Sequence, residues 1–256
     1  MKITILTIFP EMFVSPFSES IIKRAQDKNL VTINIINIRD FSKDKHRTVD
    51  DYSYGGGPGM VLKPEPIVEA VEFINKKKDK KIFCKNKKII VSSAQGKRFN
   101  QELAKDIAKK DEIIFICGRY EGIDERVVNI LNAEEVSIGD YVTTGGELPV
   151  MIMVDVIIRM IPGVLGKEES LTNDSFYNGL LDYPHYTRPE NYKGYKVPSI
   201  LLSGDHEKID LWRKKQSILQ TIVRRPDLLA NRKFKKDELQ ILNNIKNDNN
   251  RKGKNL

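Results

Sequence analysis

The sequence predicts an α/β protein built on a mostly parallel sheet, followed by a small C-terminal helical domain. Three observations carry that expectation. Short apolar strand patterns alternate with helix-period patterns through the first two-thirds of the chain, as they do where helices cover both faces of a parallel sheet. Glycine-rich loops punctuate that part at residues 54–60, 118–122 and 139–146. After Gly166 the alternation stops and the chain turns polar.

Taken in order, residues 3–8 form a short buried strand. Residues 15–29 follow as a helix with Phe17, Ile21, Ile22 and Ala25 on one face. Residues 31–38 are the next strand. The polar, glycine-rich segment 39–63 is a long loop, and loops of that length are usually functional or mobile. Residues 64–77 form a helix with Ile67, Val68, Val71 and Ile74 inward. The lysine cluster at 76–88 is a solvated hairpin or loop, as charge runs usually are. Strand 88–92, helix 99–109, strand 112–116, helix 124–131 and strand 134–138 continue the alternation. The next helix opens at Glu147-Leu148-Pro149 and is apolar nearly all round through Ile158. Such a helix belongs in a core or a dimer seam.

Residues 167–174 are polar and without period, which marks a linker. Pro184, Pro189 and Pro198 then break up an extended stretch. Ser203 or Asp205 caps a helix through Val223, with Ile209, Trp212, Ile218, Leu219 and Ile222 on its buried side. Residues 236–245 are the last helix, and the polar tail 247–256 frays. The division is thus a catalytic domain over 1–166, a linker over 167–183 and a helical domain over 184–256.

Composition narrows the function classes. Hydrophobic residues make up 40% and charged residues 30% of 256, as in ordinary globular proteins. No apolar run spans a membrane, since Asp155 and Arg159 interrupt the longest. The first nine residues read as a strand rather than a signal peptide. Cys84 and Cys117 with three scattered histidines make neither a disulfide framework nor a zinc site, so a reducing cytoplasm is expected. A net charge of +8 favours a polyanionic partner. A phosphate-loop enzyme is disfavoured, because no Gly-Lys-Ser/Thr follows Gly55-Gly56-Gly57-Pro58-Gly59.

The loops carry the most specific signal. Ser137-Ile138-Gly139-Asp140-Tyr141-Val142-Thr143-Thr144-Gly145-Gly146-Glu147-Leu148-Pro149 leads from a strand into the apolar helix. Ile116-Cys117-Gly118-Arg119-Tyr120-Glu121-Gly122-Ile123-Asp124 follows another strand, and Tyr54-Gly55-Gly56-Gly57-Pro58-Gly59-Met60 follows Asp50-Asp51. Bare main-chain groups beside strand ends are where small polar cofactors bind in open α/β sheets. Further along stand Arg159-Met160-Ile161-Pro162-Gly163-Val164-Leu165-Gly166, Gly179-Leu180-Leu181-Asp182-Tyr183-Pro184-His185-Tyr186-Thr187-Arg188-Pro189 and Leu201-Leu202-Ser203-Gly204. In this order, from Ile5 to about Leu229, the chain resembles the bacterial tRNA (guanine-37-N1) methyltransferases of the SPOUT class.

The resemblance implies a deep trefoil knot after the third glycine loop, a rarity among proteins, and a homodimer in which two subunits share each active site. It implies S-adenosylmethionine as cofactor, held by Ser92, Ser93, Gly118, Ser137, Ile138, Gly139, Tyr141, Thr143, Gly145 and Gly146. Glu121, after the Gly118-Arg119-Tyr120 turn, either faces the cofactor's cationic end or forms an ion pair with Arg119 or Arg126. Where the family has a proline before Gln95-Gly96, this chain has Ala94. The resemblance makes Asp174 the general base and Arg159 the cation beside the target base. Those two roles fit the chemistry, because guanine N1 must lose a proton while charge spreads to O6. It implies tRNA contact at Asp182 and His185, in the target-guanine segment. The second domain supplies Arg188, Lys193, Lys196, Arg213, Lys214, Lys215, Arg224 and Arg225 for phosphate contacts, although a solvated helix face would look similar and Arg224-Arg225 also suits a helix C-terminus. It leaves room for magnesium as an activator, although no acidic cluster specifies a metal site.

Overall fold

The computed structural model describes residues 1–76, 86–166, 171–172, 174–230 and 232–252. The described chain divides into two compact units, Met1–Glu168 and Glu169–Leu256. The lysine cluster expected at 76–88 lies largely outside the described residues.

The first unit is built on five parallel strands, β1 (Lys2–Thr7), β2 (Thr32–Asn37), β5 (Lys87–Arg98), β6 (Glu112–Cys117) and β7 (Glu134–Ser137), in the order β2-β1-β6-β5-β7. Side chains of a strand point alternately to its two faces, and β6 is buried at all six positions. Ile113, Phe115 and Cys117 therefore enter one apolar cluster, and Ile114 and Ile116 the other. Helices α1 (Ser20–Asp27), α3 (Gln101–Ile107) and α5 (Glu147–Arg159) pack on the first face. Helices α2 (Pro64–Lys76) and α4 (Arg126–Leu131) cover the second. The inward residues of α2 are Pro66, Ile67, Ala70, Val71 and Ile74, and Val68 is only half-buried.

Three elements differ from expectation. The helix expected over 15–29 is interrupted after a single turn at Val14–Phe17, and Ser20 takes the left-handed φ of 53°. The Gln26 side chain donates 2.8 Å to the Phe17 carbonyl and so caps that first turn. The long polar segment contains an antiparallel ribbon, β3 (Asp50–Tyr52) with β4 (Met60–Leu62), whose tip is the first glycine loop. Strand β5 does not stop at Ser92. Its register against β7 shifts between Ser92 and Lys97, and pairing resumes to Arg98. Residues 93–96 are thus a bulge, with Gly96 pressed on the Glu135 and Val136 backbone, where a Cβ would stand 2.3 Å from the Glu135 carbonyl carbon.

In the second unit, a short ribbon of β8 (Asn191–Tyr192) and β9 (Tyr195–Lys196) precedes α6 (His206–Arg224) and α7 (Lys236–Lys252). Asp205 caps α6, accepting from the Lys208 amide at 3.1 Å. Leu180, Ile218, Ile241 and Ile245 form the small core. Ile222, expected inward, is exposed, and Thr221 is buried instead. The Thr221 hydroxyl donates to the Ser217 carbonyl at 2.7 Å and accepts from the Leu181 amide at 2.9 Å, so its burial leaves no unmet polar group. Helix α7 continues to Lys252, past the end expected at 245.

Candidate active site

The carboxyl ends of β5, β6 and β7 open on a cavity of about 260 Å³. This is where open parallel sheets bind ligands. Its walls come from the β5 bulge (Ser92, Ser93, Ala94, Gln95), from the loop after β6 (Gly118 to Ile123) and from the loop after β7 (Ser137, Ile138, Tyr141 to Gly146). Of the residues proposed for the cofactor, Ser92, Ser93, Gly118, Glu121, Ser137, Ile138, Tyr141, Thr143, Gly145 and Gly146 all line it. Gly139 does not; a Cβ there would meet the Tyr141 ring at 2.7 Å. Tyr120 and Pro149, inside the quoted loop motifs but assigned no role there, also line the cavity, as do Gln95, Glu125 and Glu135, which no loop motif marked as contacts.

The two loops are tied together. The Gly146 amide donates to the Gly118 carbonyl at 2.7 Å, and Arg119 bridges Gly145 in antiparallel fashion. A Cβ at Gly146 would lie 2.1 Å from Ser92 Oγ and 2.7 Å from the Gly118 nitrogen, so only glycine fits there. Within the β7 loop, Thr143 Oγ1 donates to the Gly145 carbonyl at 2.8 Å, and Ser137 Oγ exchanges bonds with Gly139. Ser92 Oγ is buried without a partner among the described residues and belongs to the cavity wall. An orphan hydroxyl there suits a polar ligand.

Glu121 is exposed at the rim beside Gly59 of the ribbon. Among the described residues neither of the expected arginines pairs with it: Arg119 pairs with Glu147 at 3.1 Å and Arg126 with Asp124 at 2.7 Å. The Arg126 pair holds the Asp124 carboxyl below its ordinary range. Cys117, sealed under the loops, has its thiol pushed well up by burial.

Arg159 is the last residue of α5, half-buried, and is not part of the cavity lining. Asp174 belongs to the second unit, where its carbonyl accepts from the Tyr177 amide at 3.2 Å. In the same unit the Asp182 carboxylate accepts from His185 Nε2 at 2.7 Å, and the His185 ring lies 4.7 Å from the Tyr183 ring. The Arg213 guanidinium stands 5.2 Å from the Tyr183 ring. Arg188 is exposed, and Lys214 pairs with Asp237 of α7. Among the described residues no group of three His, Cys, Asp or Glu side chains could hold a metal ion, and no helix is long and apolar enough to cross a membrane.

A glycine-walled cavity at the carboxyl ends of a parallel sheet is where α/β proteins of this class hold small polar ligands. Residues 1–231 match the family model of tRNA (Guanine-1)-methyltransferase TrmD, and the chain belongs to that family. It is 54% identical to the tRNA (guanine-N(1)-)-methyltransferase of Carboxydothermus hydrogenoformans over 94% of this chain and 92% of that protein. Against the enzymes of that name from Dictyoglomus turgidum and Staphylococcus carnosus, identity is 52% and 51%, covering 97% and 96% of this chain and 98% of each relative.

Proposed function

We propose that this protein methylates N1 of guanine at position 37 of tRNA, with S-adenosylmethionine as donor, as a cytoplasmic homodimer of the SPOUT class. The observation that carries the reading is one cavity walled by the β5 bulge and the glycine loops after β6 and β7, in a chain of this family. Bound there, S-adenosylmethionine would supply an electrophilic methyl on a sulfonium. Main-chain groups of the two loops and the Ser92 hydroxyl would hold its polar edges, and Glu121 would face its positive end.

The remaining chemistry falls to side chains. Guanine N1 carries a proton at neutral pH and must lose it as the N1–methyl bond forms. The Asp174 carboxylate takes that proton, and the Arg159 guanidinium opposes the charge that develops on O6. Magnesium keeps only the activating role that the family likeness suggests, and no step is assigned to it. Asp182, His185, Arg188 and Lys214 contact the tRNA, the first two near the target base. Residues 1–166 thus form the donor-binding domain, 167–183 carry the base, and 184–256 bind tRNA.

The dimer has physical support. Arg159 and the donor cavity lie at opposite ends of α5, about 18 Å apart along the helix axis at 1.5 Å per residue. Arg159 therefore serves a cavity other than the one its own helix begins beside, which is met if a second copy supplies it. Leu148 and Ile152 of α5 are about half exposed, and Phe9, Met12 and Val14 are exposed too, a face suited to such a copy. The trefoil knot would arise where the β7 loop passes against the β6 loop before α5.

Transfer of labelled methyl to two tRNA transcripts tests the reading, one with guanine at 37 after guanine at 36, the other with adenine at 37. Label on the first alone is expected. Label on both would move the target base, and label on neither, with donor binding intact, would favour a non-catalytic RNA-binding module. Asp174→Ala should abolish turnover and leave donor affinity nearly unchanged. Mixed Arg159→Ala and Asp174→Ala dimers should regain part of the activity, and complete inactivity would count against a shared site.

A further inference from the structure

We infer that Glu147 is a positioning residue for the donor cavity, acting through Arg119; the inference rests on the function proposed above and adds a brace behind the cofactor wall. Glu147 opens α5 and is 1% exposed. Its Oε1 accepts from Thr7 Oγ1 at 2.9 Å and its Oε2 from Arg119 Nε at 3.1 Å. A carboxylate so deeply buried must be paired. The other buried side chains of α5 are apolar, so packing alone did not call for a charge at this position.

Arg119 is consumed by the same brace. Its Nη1 donates to the Thr144 carbonyl at 3.1 Å, and its Nη2 lies 3.6 Å from Met12 Sδ. Its guanidinium stands 4.5 Å from the Phe9 ring centroid. One cation thus ties the β6 loop, the β7 loop, the start of α5 and the turn after β1. Arg119 lines the cavity, and each of its three nitrogens already has a protein partner, which makes it a strut for the wall.

The brace also accounts for Gly145. A Cβ at that position would lie 2.3 Å from Arg119 Nε and 2.6 Å from Glu147 Oε2. Glycine is required at 145 by the ion pair behind the loop, and not by the approach of the donor in front of it. Without the pair, the Thr143–Gly146 wall loses its backing and its main-chain groups lose their fixed aim.

Donor affinity, measured by calorimetry on the full chain without tRNA, tests this. Glu147→Gln should weaken S-adenosylmethionine binding roughly tenfold, as expected for losing one charge-assisted bond. Gly145→Ala should weaken it at least as much in the native background. In an Arg119→Ala/Glu147→Ala background the same Gly145→Ala change should add less than about twofold, because contacting groups couple non-additively. An equal Gly145→Ala loss in both backgrounds would show that glycine serves the donor, and would overturn the inference. So would native affinity in Glu147→Gln. Melting profiles check that each variant folds. If the double variant does not, Thr7→Val loosens the same carboxylate without removing a charge, and unchanged donor affinity in Thr7→Val then overturns the brace. A native protein that binds no donor sinks the proposed function, an outcome distinct from either.

Discussion

In the unit Met1–Glu168, two apolar clusters fill both faces of five parallel strands, whereas in Glu169–Leu256 the described core is Leu180, Ile218, Ile241 and Ile245. The smaller unit supplements that core with polar staples. Arg232 grips Glu238 through two bonds of 2.9 and 2.8 Å, Ser217 bonds the Leu181 carbonyl, Thr221 bonds the Leu181 amide, and Lys214 pairs with Asp237. Small units bury a smaller share of their surface, so each remaining interaction weighs more. The difference teaches that equal substitutions have unequal meaning: a lost core side chain thins the first unit but removes a large part of what holds the second.

The largest expected effect is in the sheet. Phe115→Ala should cost about 3–5 kcal/mol, and Ile218→Ala in the second unit about 2–4 kcal/mol. Hydrogen exchange followed separately in each unit checks the comparison. The first change should leave the sheet cooperative, while the second should unfold the helical unit ahead of it. A uniform loss of protection in both units after Ile218→Ala would break the distinction. Next comes Glu238→Gln, with a loss of roughly 2 kcal/mol in the second unit, because Arg232 is left without its carboxylate.

Glu238 also sets a pH signature. The Arg232 bonds hold its carboxyl below the ordinary 4.5. Its folded pKa is lower than its unfolded one, so its stabilisation is complete above pH 4.5 and lost as pH falls through the folded value. Acid titration should melt the second unit of the native protein over that window, and Glu238→Gln should flatten the dependence. Thr221→Val, which strands the Leu181 amide, should cost about 1 kcal/mol, and thermal melting of the helical unit measures it.

Much of this architecture was legible because the signals are local. The alternation of Ile113, Ile114, Phe115 and Ile116 announces a strand buried on both faces, and Asp205 announces a helix start. The extension of β5 was not legible, since Ser93-Ala94-Gln95-Gly96 carries no period and its pairing with β7 is set by a distant backbone. The ribbon of β3 and β4 was hidden in a polar segment for the same reason. Thr221 is absent from the residues expected inward, because its burial depends on the Leu181 amide forty residues away. The glycine loops pointed to the cavity as a place, and most of the residues taken from them line it. The reason for Gly145 was invisible, since Arg119 and Glu147 are 28 residues apart and only the fold brings them together.

The smallest stability effect should come from Lys214→Ala. Lys214 and Asp237 are each about half exposed, and such surface pairs contribute roughly 0–1 kcal/mol. Loss of the pair should therefore move the melting of the second unit little compared with Glu238→Gln, whose carboxylate is nearly buried. The same lysine is proposed to meet a tRNA phosphate. If it does, Lys214→Ala should weaken tRNA binding and lower the salt dependence by about one counterion, with donor affinity untouched. Asp237→Ala frees the lysine from its partner and should leave that salt dependence in place. A Lys214→Ala protein that melts early and binds tRNA normally would make the pair a structural staple, and would show that the second unit relies on exposed ion pairs as much as on its four-residue core.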